Sequence, residues 1–516
     1  MKNFYQEGPG LTNTYRSDET LQKFLKKNLP PEVQKEALPH LDHLGERAAT
    51  DMLLWAQDAE AQPPQHIPFD PWGRRIDEIK TCEGWKHLDR VAAEEGIVAT
   101  AYERKFGAFS RVYQMALLYL YSPSSAIYSC PLAMTDGAAR ALELYAGQDL
   151  KERALPHLVT RDPRHFWTAG QWMTERSGGS DVSGTATDGH PFSGSSPFSA
   201  THSLHGTKWF TSATTSQVAL TLARPDGAPA GSRGLSLFYL ELRNSQAQLN
   251  NIQIHRLKDK LGTKALPTAE LSLLGTPARI IGGEGDGIKK IASVLNITRI
   301  YNSICATGHM RRALDLATDY SRKRTAFGKT LIEHPLHQET LRSLEEDFRR
   351  SLVFCFFVAK LLGQEEVGEI SASERILLRT LTPILKLYTG KKAVEISSEV
   401  VEIFGGAGYV EDTGIPRLLR DGQVFSIWEG TTNVLSLDML RAFEKEQALP
   451  ILLEHFRNCA AMKDSVVGFV EKWTTLQKII SQLAKAAPEE WERHARRLAF
   501  LVADLITENL LYENSL

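Results

Sequence analysis

The sequence predicts a mainly α-helical chain interrupted by one central β-domain. Apolar residues recur at helical spacing over residues 1–165 and again from 283 to the end. Between them, over 166–282, glycine, serine and threonine rise and the apolar runs become short, alternating or β-branched. A chain of 516 residues also exceeds what a single core usually fills, so several packed units are expected.

Each segment has its own signals. In 1–165 the helical pattern is carried by Leu21, Phe24 and Leu25, then by Val112, Met115, Ala116, Leu117 and Tyr119. Pro30-Pro31 and the stretch from Gln62-Pro63-Pro64 to Pro68-Phe69-Asp70-Pro71 are breakers, so an irregular arm is expected ahead of helices that begin near Trp85. Within 166–282, Phe210-Thr211, Val218/Leu220/Leu222, Leu235 to Leu240 and Ile252/Ile254 read as a small antiparallel β-domain. Arg224-Pro225-Asp226-Gly227 and Gly282-Gly283-Glu284-Gly285 supply its turns. Residues 283–447 return to helical spacing (Ile288, Ile291, Leu295; Ala313, Leu314, Ala317, Tyr320) without a convincing strand and read as a helix bundle. Residues 448–516 form an extra helical region with a break at Pro488.

Bulk charge restricts the partners. A net charge of -2 leaves no general footprint for nucleic acid or an anionic membrane, and residues 448–516 hold 8 Lys+Arg against 9 Asp+Glu, so no phosphate-binding tail is expected. Cys82, Cys130, Cys305, Cys355 and Cys459 are scattered without metal-ligand spacing, which predicts neither disulfides nor zinc and suits a reducing cytoplasm. Met1 to Glu7 carries no apolar leader core, and the apolar run Leu352 to Leu362, broken by Lys360, is too short to span a bilayer. A soluble cytoplasmic protein is the expectation.

Chemistry concentrates in Arg420 to Asn433, where Glu429 stands between Trp428 and Gly430. A carboxylate held against an indole in a poorly hydrated slot has its proton affinity raised, which suits a general base near neutral pH. Gly430 allows close backbone approach, and Thr431, Thr432 and Asn433 offer donors at the start of the next apolar helical pattern, where an anion can be held. Taken alone, the fragment reads more readily as a solvated turn with an ordinary N-cap. A second constellation, Trp172-Met173-Thr174-Glu175-Arg176-Ser177-Gly178-Gly179-Ser180-Asp181, is followed by Lys208-Trp209-Phe210-Thr211. Such loops suit a flat heteroaromatic ring with Trp209 against it; singly, each is more often a glycine turn and a buried strand aromatic.

Together these residues resemble the acyl-CoA dehydrogenase family, whose pattern T-E-x-x-x-G-S-D, K-W-x-T, R-x-x-F-G, G-G-x-G and Y/W-E-G-T occurs in that order. Here the five stand at Thr174 to Asp181, Lys208 to Thr211, Arg324 to Gly328, Gly405 to Gly408 and Trp428 to Thr431. The resemblance covers about residues 90 to 445. Tyr15-Arg16-Ser17-Asp18, Phe69 to Asp77, the tryptophan at 428 and His334-Pro335-Leu336 are similar to the long-armed AidB-like branch.

The resemblance implies an N-terminal helical domain, a small antiparallel β-barrel or sandwich, a C-terminal four-helix bundle and FAD as cofactor. Met173, Thr174, Gly179, Ser180, Trp209 and Thr211 are the flavin contacts by match. Arg324, Phe327, Gln338, Glu402, Gly405 and Gly406 would serve the nucleotide end of a neighbouring subunit's flavin, with Thr431 and Asn433 completing it, in a homotetramer. Glu429 would remove the α-proton of an acyl-CoA of medium or long chain, with hydride passing to flavin N5, electrons to an electron-transfer flavoprotein, and Arg299 orienting the base. Arg176 in place of proline, Ala326 and Pro335 depart from the pattern, and Trp428 is expected to narrow the acyl pocket. Competing readings are a flavoprotein binding nucleic acid under alkylation stress, a protein that only sequesters acyl-CoA, and an acyl-CoA oxidase.

Overall fold

The structure is a computed structural model that describes residues 5–196 and 198–515. Four residues of the leader reading, Met1 to Phe4, lie outside the described residues. The chain is mainly helical around one β-domain, and it divides into two compact units, each discontinuous in sequence: 51–103 with 124–298, and 1–50 with 104–123 and 299–516.

In the first of these units, α3 (Asp51–Ala61) and α4 (Glu83–Glu94) pack together and flank a hairpin of β1 (Gln65–Phe69) and β2 (Arg75–Lys80). The expected irregular arm is therefore ordered. Pro64 falls before the first strand and Pro71 in the turn, where a missing N–H costs no ladder bond. Buried Asp77 anchors the hairpin: it accepts from the Ile254 N–H (3.1 Å) and the Arg75 guanidinium (2.8 Å), and is hydrogen-bonded to His66. α7 (Ser129–Tyr145) and α8 (Gln148–Leu158) then cover one side of the β-domain.

The β-domain comprises β3 (Ala169–Trp172), β4 (Asp188–Pro191), β5 (His202–Ser212), β6 (Val218–Pro225), β7 (Ser236–Glu241), β8 (Ile252–Leu257) and β9 (Thr268–Ile281). Pairings β4–β5, β5–β9, β9–β7, β7–β6 and β6–β4 close a ring, so five strands form a barrel with no free edge between them, while β3 and β8 pair outside it with β6 and β9. The ladder is not wholly antiparallel, as β6 runs parallel to both β3 and β4. The long excursion from Trp172 to Val218 gives the chain room to re-enter in the same direction. Side chains alternate as a two-faced strand requires: Ala219, Phe238 and Leu240 join Leu204, Leu271 and Leu273 in one core, whereas Leu220, Leu222, Leu237 and Tyr239 join Leu142, Leu150 and Leu158 in another.

The second unit is helical. α1 (Glu19–Asn28) is capped by Asp18, and α2 (Pro31–Ala49) starts at Pro31, where proline fits the first helical turn. α6 (Phe109–Tyr121; the short α5 is Ala99–Glu103 in the other unit) packs on α2 and α10. The long helices are α9 (Gly287–Lys323, which enters this unit at Arg299), α10 (Pro335–Val367) and α11 (Ala372–Ile403). A two-residue hairpin, β10 (Thr325–Ala326) with β11 (Lys329–Thr330), follows α9 where no strand was expected; Phe327 and Gly328 at its tip both take positive φ, as a tight turn demands. α12 (Ile415–Gly422) and α13 (Thr432–Lys445) bracket the Glu429 turn, and α14 (Ala448–Asn458), α15 (Ala460–Lys463), α16 (Val467–Leu483) and α17 (Pro488–Asn514) complete the chain. α17 lies against α10, α13 and α16, its Leu498, Val502 and Leu505 buried, so the extra region is part of this packed unit. Among the described residues, no helix is long and apolar enough to cross a membrane.

Candidate active site

The Glu429 turn is held from below by α11. Gly390 allows the helix to approach the main chain of the preceding turn, since a Cβ there would lie 2.5 Å from the Phe425 carbonyl oxygen. Asn302 on α9 donates to that same carbonyl (3.2 Å) and accepts the indole N–H of Trp428, whose ring meets Phe425 edge-on at 6.5 Å between centroids. Glu429 itself is half-buried and left-handed, with φ +58°, and Gly430 follows at +107°. A non-glycine residue held in this region marks a backbone over-determined by its surroundings.

Those surroundings are cationic. Arg299 Nε donates to the Glu429 carbonyl (3.3 Å) and its Nη1 to Asp438 (2.9 Å) on α13, where Arg379 of α11 also binds (2.7 Å). Burial works against the Asp438 carboxylate, but the two guanidiniums outweigh it and hold its pKa below the usual range. Lys386, buried completely, donates to the Gly430 carbonyl at 2.6 Å. Burial draws its ammonium down to about 7 against the opposing pull of Glu429. The turn's main chain is thus held by polar contacts, and the Trp428 indole is turned to Asn302.

In the β-barrel unit, the Thr174 loop is tied to the strand that carries Trp209. Lys208 is buried completely and its Nζ lies 2.8 Å from Glu175 Oε1; Glu175 also accepts from the Thr187 hydroxyl (2.5 Å) and the Ala186 N–H (2.7 Å). Burial opposes ionisation of Glu175, yet these partners keep its carboxyl below the usual range. The Trp209 N–H donates to the Thr174 carbonyl (2.9 Å). β5 bulges here, with Lys208 opposite Leu271 but Thr211 opposite Ala269. Lys208 and Thr211 therefore stay buried while Trp209 and Phe210 are both presented outward. Lys258 Nζ stands 3.8 Å from the Trp209 ring centroid and the Arg176 guanidinium 5.0 Å.

Other residues singled out by sequence fall as follows. Met173 is buried; Gly179 abuts Thr174, where a Cβ would lie 2.4 Å from the hydroxyl; Ser180 is exposed. Thr211 donates its hydroxyl to the Ala269 carbonyl (2.7 Å), so this donor is spent across the sheet. In the helical unit, Phe327 is 98% exposed, Arg324 donates to Gln6 (3.3 Å), Gln338 to the Ile332 carbonyl (2.8 Å), and Asn433 accepts from Arg496 (3.4 Å). Glu402, Gly405 and Thr431 are exposed, and space is open around Gly405 and Gly406. Sequence reasoning passed over Lys386, Asp438 and Asn302. The first two had a signal, each being the one charged residue in an apolar run, Pro383-Ile384-Leu385-Lys386-Leu387 and Val434-Leu435-Ser436-Leu437-Asp438-Met439.

Family models match in three consecutive blocks. The AidB N-terminal domain matches residues 9–162, the acyl-CoA dehydrogenase middle domain 170–275 and the acyl-CoA dehydrogenase C-terminal domain 285–443. The chain is 43% identical to acyl-CoA dehydrogenase family member 11 of Caenorhabditis elegans, over 99% of this chain and 86% of that one. The chain belongs to the acyl-CoA dehydrogenase family. Its reaction class is accordingly oxidoreduction at a CH–CH bond. The putative acyl-CoA dehydrogenase AidB of Escherichia coli K12 is 29% identical over 80% of this chain and 75% of its own length. Among solved structures, one described as Bd2924 apo-form is 73% identical with TM-score 0.96, covering all of both chains. The C. elegans ACDH-11 complex with C11-CoA has TM-score 0.95 and covers 100% of this chain and 90% of that one. The long-armed branch read from Tyr15 to Asp18 and Phe69 to Asp77 agrees with the N-terminal match.

Proposed function

We propose that this chain is an FAD-dependent dehydrogenase of medium- to long-chain acyl-CoA thioesters in which Glu429 is the α-proton base. The observation that carries the reading is the Glu429–Gly430 turn, whose two successive carbonyls are each gripped by a cation, Arg299 and Lys386. Such a turn fixes the backbone that carries the carboxylate, and positioning of this kind is what general-base catalysis needs. The chain-length class draws support from the worm relative, which was solved with C11-CoA.

The residues present fit a flavin. Trp209 offers an indole face on a bulge, the Thr174–Gly179 turn is tight enough to set main-chain donors at a ring edge, and Gly405 and Gly406 leave room for a phosphate to approach. When bound, FAD supplies the hydride acceptor. Glu429 takes the α-proton, and its main-chain N–H polarises the thioester oxygen, lowering the barrier to forming the enolate-like transition state. Arg324 binds flavin phosphate, by family match from a neighbouring subunit, in a homotetramer. An electron-transfer flavoprotein is the proposed acceptor.

The test is anaerobic addition of acyl-CoAs of graded length to the yellow protein while flavin absorbance is followed. Bleaching at one chain length is expected. Glu429→Gln should keep flavin and ligand and lose bleaching by about three orders of magnitude or more. An unchanged rate in that variant refutes the base assignment, and peroxide release in air would show an oxidase instead.

A further inference from the structure

α11 is buried at every position from Thr380 to Gly390, and Lys386 sits in the middle of that run. An ammonium is costly there, and a leucine or methionine would pack with less penalty. The lysine must be judged by what its Nζ reaches, which is the Gly430 carbonyl at 2.6 Å.

That contact completes a pattern. Arg299 binds the carbonyl of Glu429 and Lys386 the carbonyl of Gly430, so the peptide planes on both sides of Gly430 are fixed by cations from two different helices. The backbone they fix is the one in positive φ, and a Cβ on Gly430 would come within 2.8 Å of the Leu435 side chain. The charges facing Lys386 are Glu429 and Arg299; Asp438 on α13 and Arg379 on α11 lie behind Arg299. Asp438 anchors the Arg299 arm of this clamp. The Lys386 arm owes its direction to burial within the helix.

We propose that Lys386 is the positioning residue for the general base: by binding the Gly430 carbonyl it holds the Glu429 turn in its left-handed form, with its positive charge beside the Glu429 carboxylate. The proposal rests on the reading of Glu429 as base. Its consequence is that Lys386 sets the rate and pH dependence of proton abstraction without touching substrate.

Three FAD-loaded proteins test it: the unaltered chain, Lys386→Met and Lys386→Gln. Methionine removes charge and donor; glutamine keeps a donor for the carbonyl but not the charge. Single-turnover flavin bleaching by a saturated acyl-CoA is measured from pH 6 to 9, alongside flavin affinity and thermal unfolding of flavin-free protein. The unaltered chain should show an inflection near pH 7, where burial places the Lys386 ammonium. Lys386→Met should bleach about 30-fold or more slowly with flavin affinity within twofold, and Lys386→Gln should recover at least fivefold of that loss while lacking the inflection. In flavin-free protein, the rise of stability with pH above 7 should be smaller in both variants. Bleaching by Lys386→Met at the original rate would overturn the proposal, as would a rate loss matched by loss of flavin or of folding in both variants. If the methionine variant does not fold, an inflection retained in Lys386→Gln overturns it. Failure of Glu429→Gln to slow bleaching would show separately that the base reading itself is wrong.

Discussion

Breaking the Lys208–Glu175 pair should cost stability and loosen the Thr174 loop proposed to hold the flavin, and the two variants should differ. Lys208→Met leaves Glu175 with the Thr187 hydroxyl and the N–H groups of Ala186 and Thr187, at 2.5, 2.7 and 3.2 Å. Removing one partner of a buried pair costs about 3–5 kcal/mol, and with three donors remaining the loss belongs near the lower end. Glu175→Gln leaves a wholly buried ammonium with neutral acceptors only, the amide oxygen and the Leu222 carbonyl at 3.1 Å, placing the loss near the upper end. At about 2–4 °C per kcal/mol for a domain of this size, unfolding midpoints should fall by roughly 6–12 °C for the first variant and more for the second. The double variant should lose far less than the sum, with a coupling of about 2–3 kcal/mol. Urea unfolding of the four proteins measures the cycle, and fluorescence titration with FAD measures the loop. Because Glu175 stands next to Thr174, whose carbonyl takes the Trp209 N–H, flavin affinity should fall in both single variants and return in the double. Additive losses, with coupling below about 0.5 kcal/mol, would refute the pair as the element that ties loop to strand.

Further outcomes follow from single positions. Trp209→Leu, on an outward bulge, should leave the free energy of unfolding within about 1 kcal/mol and weaken FAD binding by about tenfold, the range of one aromatic stack; equal FAD affinity would remove Trp209 from the proposed flavin site. Gly430→Ala forces a Cβ to 2.8 Å from Leu435 at φ +107°, which should cost about 1–3 kcal/mol in urea unfolding and slow bleaching more than it weakens acyl-CoA binding. Asp18 is pushed by burial from 3.8 up to about 6, so the folded state binds the extra proton between those values; its contribution is complete below pH 3.8 and lost as pH rises through 6. Asp18→Asn, which can still cap the Leu21 N–H, should flatten that decline and stabilise the protein at pH 7 by about 1–3 kcal/mol; identical pH curves for the two proteins would show that Asp18 does not titrate there.

How much could be read beforehand depends on whether a signal was local. The helix–barrel–helix order was legible because periodicity is a property of short windows, and the five motifs were legible because they are contiguous. The arm before Trp85 was misread for the same reason: Pro64 and Pro71 look like breakers in sequence, yet they fall outside the ladder of a hairpin whose order comes from Asp77 reaching across to Ile254. Thr211 shows a subtler limit. Alternation along β5 would turn Trp209 and Thr211 to the same face, but the bulge between Lys208 and Thr211 sends the indole outward and the hydroxyl to the Ala269 carbonyl.

The Glu429 turn shows where local reading stops. Trp428 beside Glu429 suggested an apolar environment, because adjacency in sequence was the only proximity available. In the fold the indole is occupied by Asn302, and the groups that define the turn arrive from α9, α11 and α13, at positions 299, 386 and 438. An apolar slot would act on a base by raising its proton affinity; a cation clamp acts by fixing the backbone that carries it. The two arrangements predict opposite effects of removing a neighbour. Replacing Trp428 by phenylalanine keeps an aromatic ring but frees Asn302, and should perturb acyl-chain selection more than the rate at the α-carbon. Replacing Arg299 by methionine removes one arm of the clamp and leaves Asp438 with Arg379, so bleaching should slow by about tenfold or more while the Asp438 site still folds. A Trp428→Phe variant slower than Arg299→Met would restore the apolar-slot account.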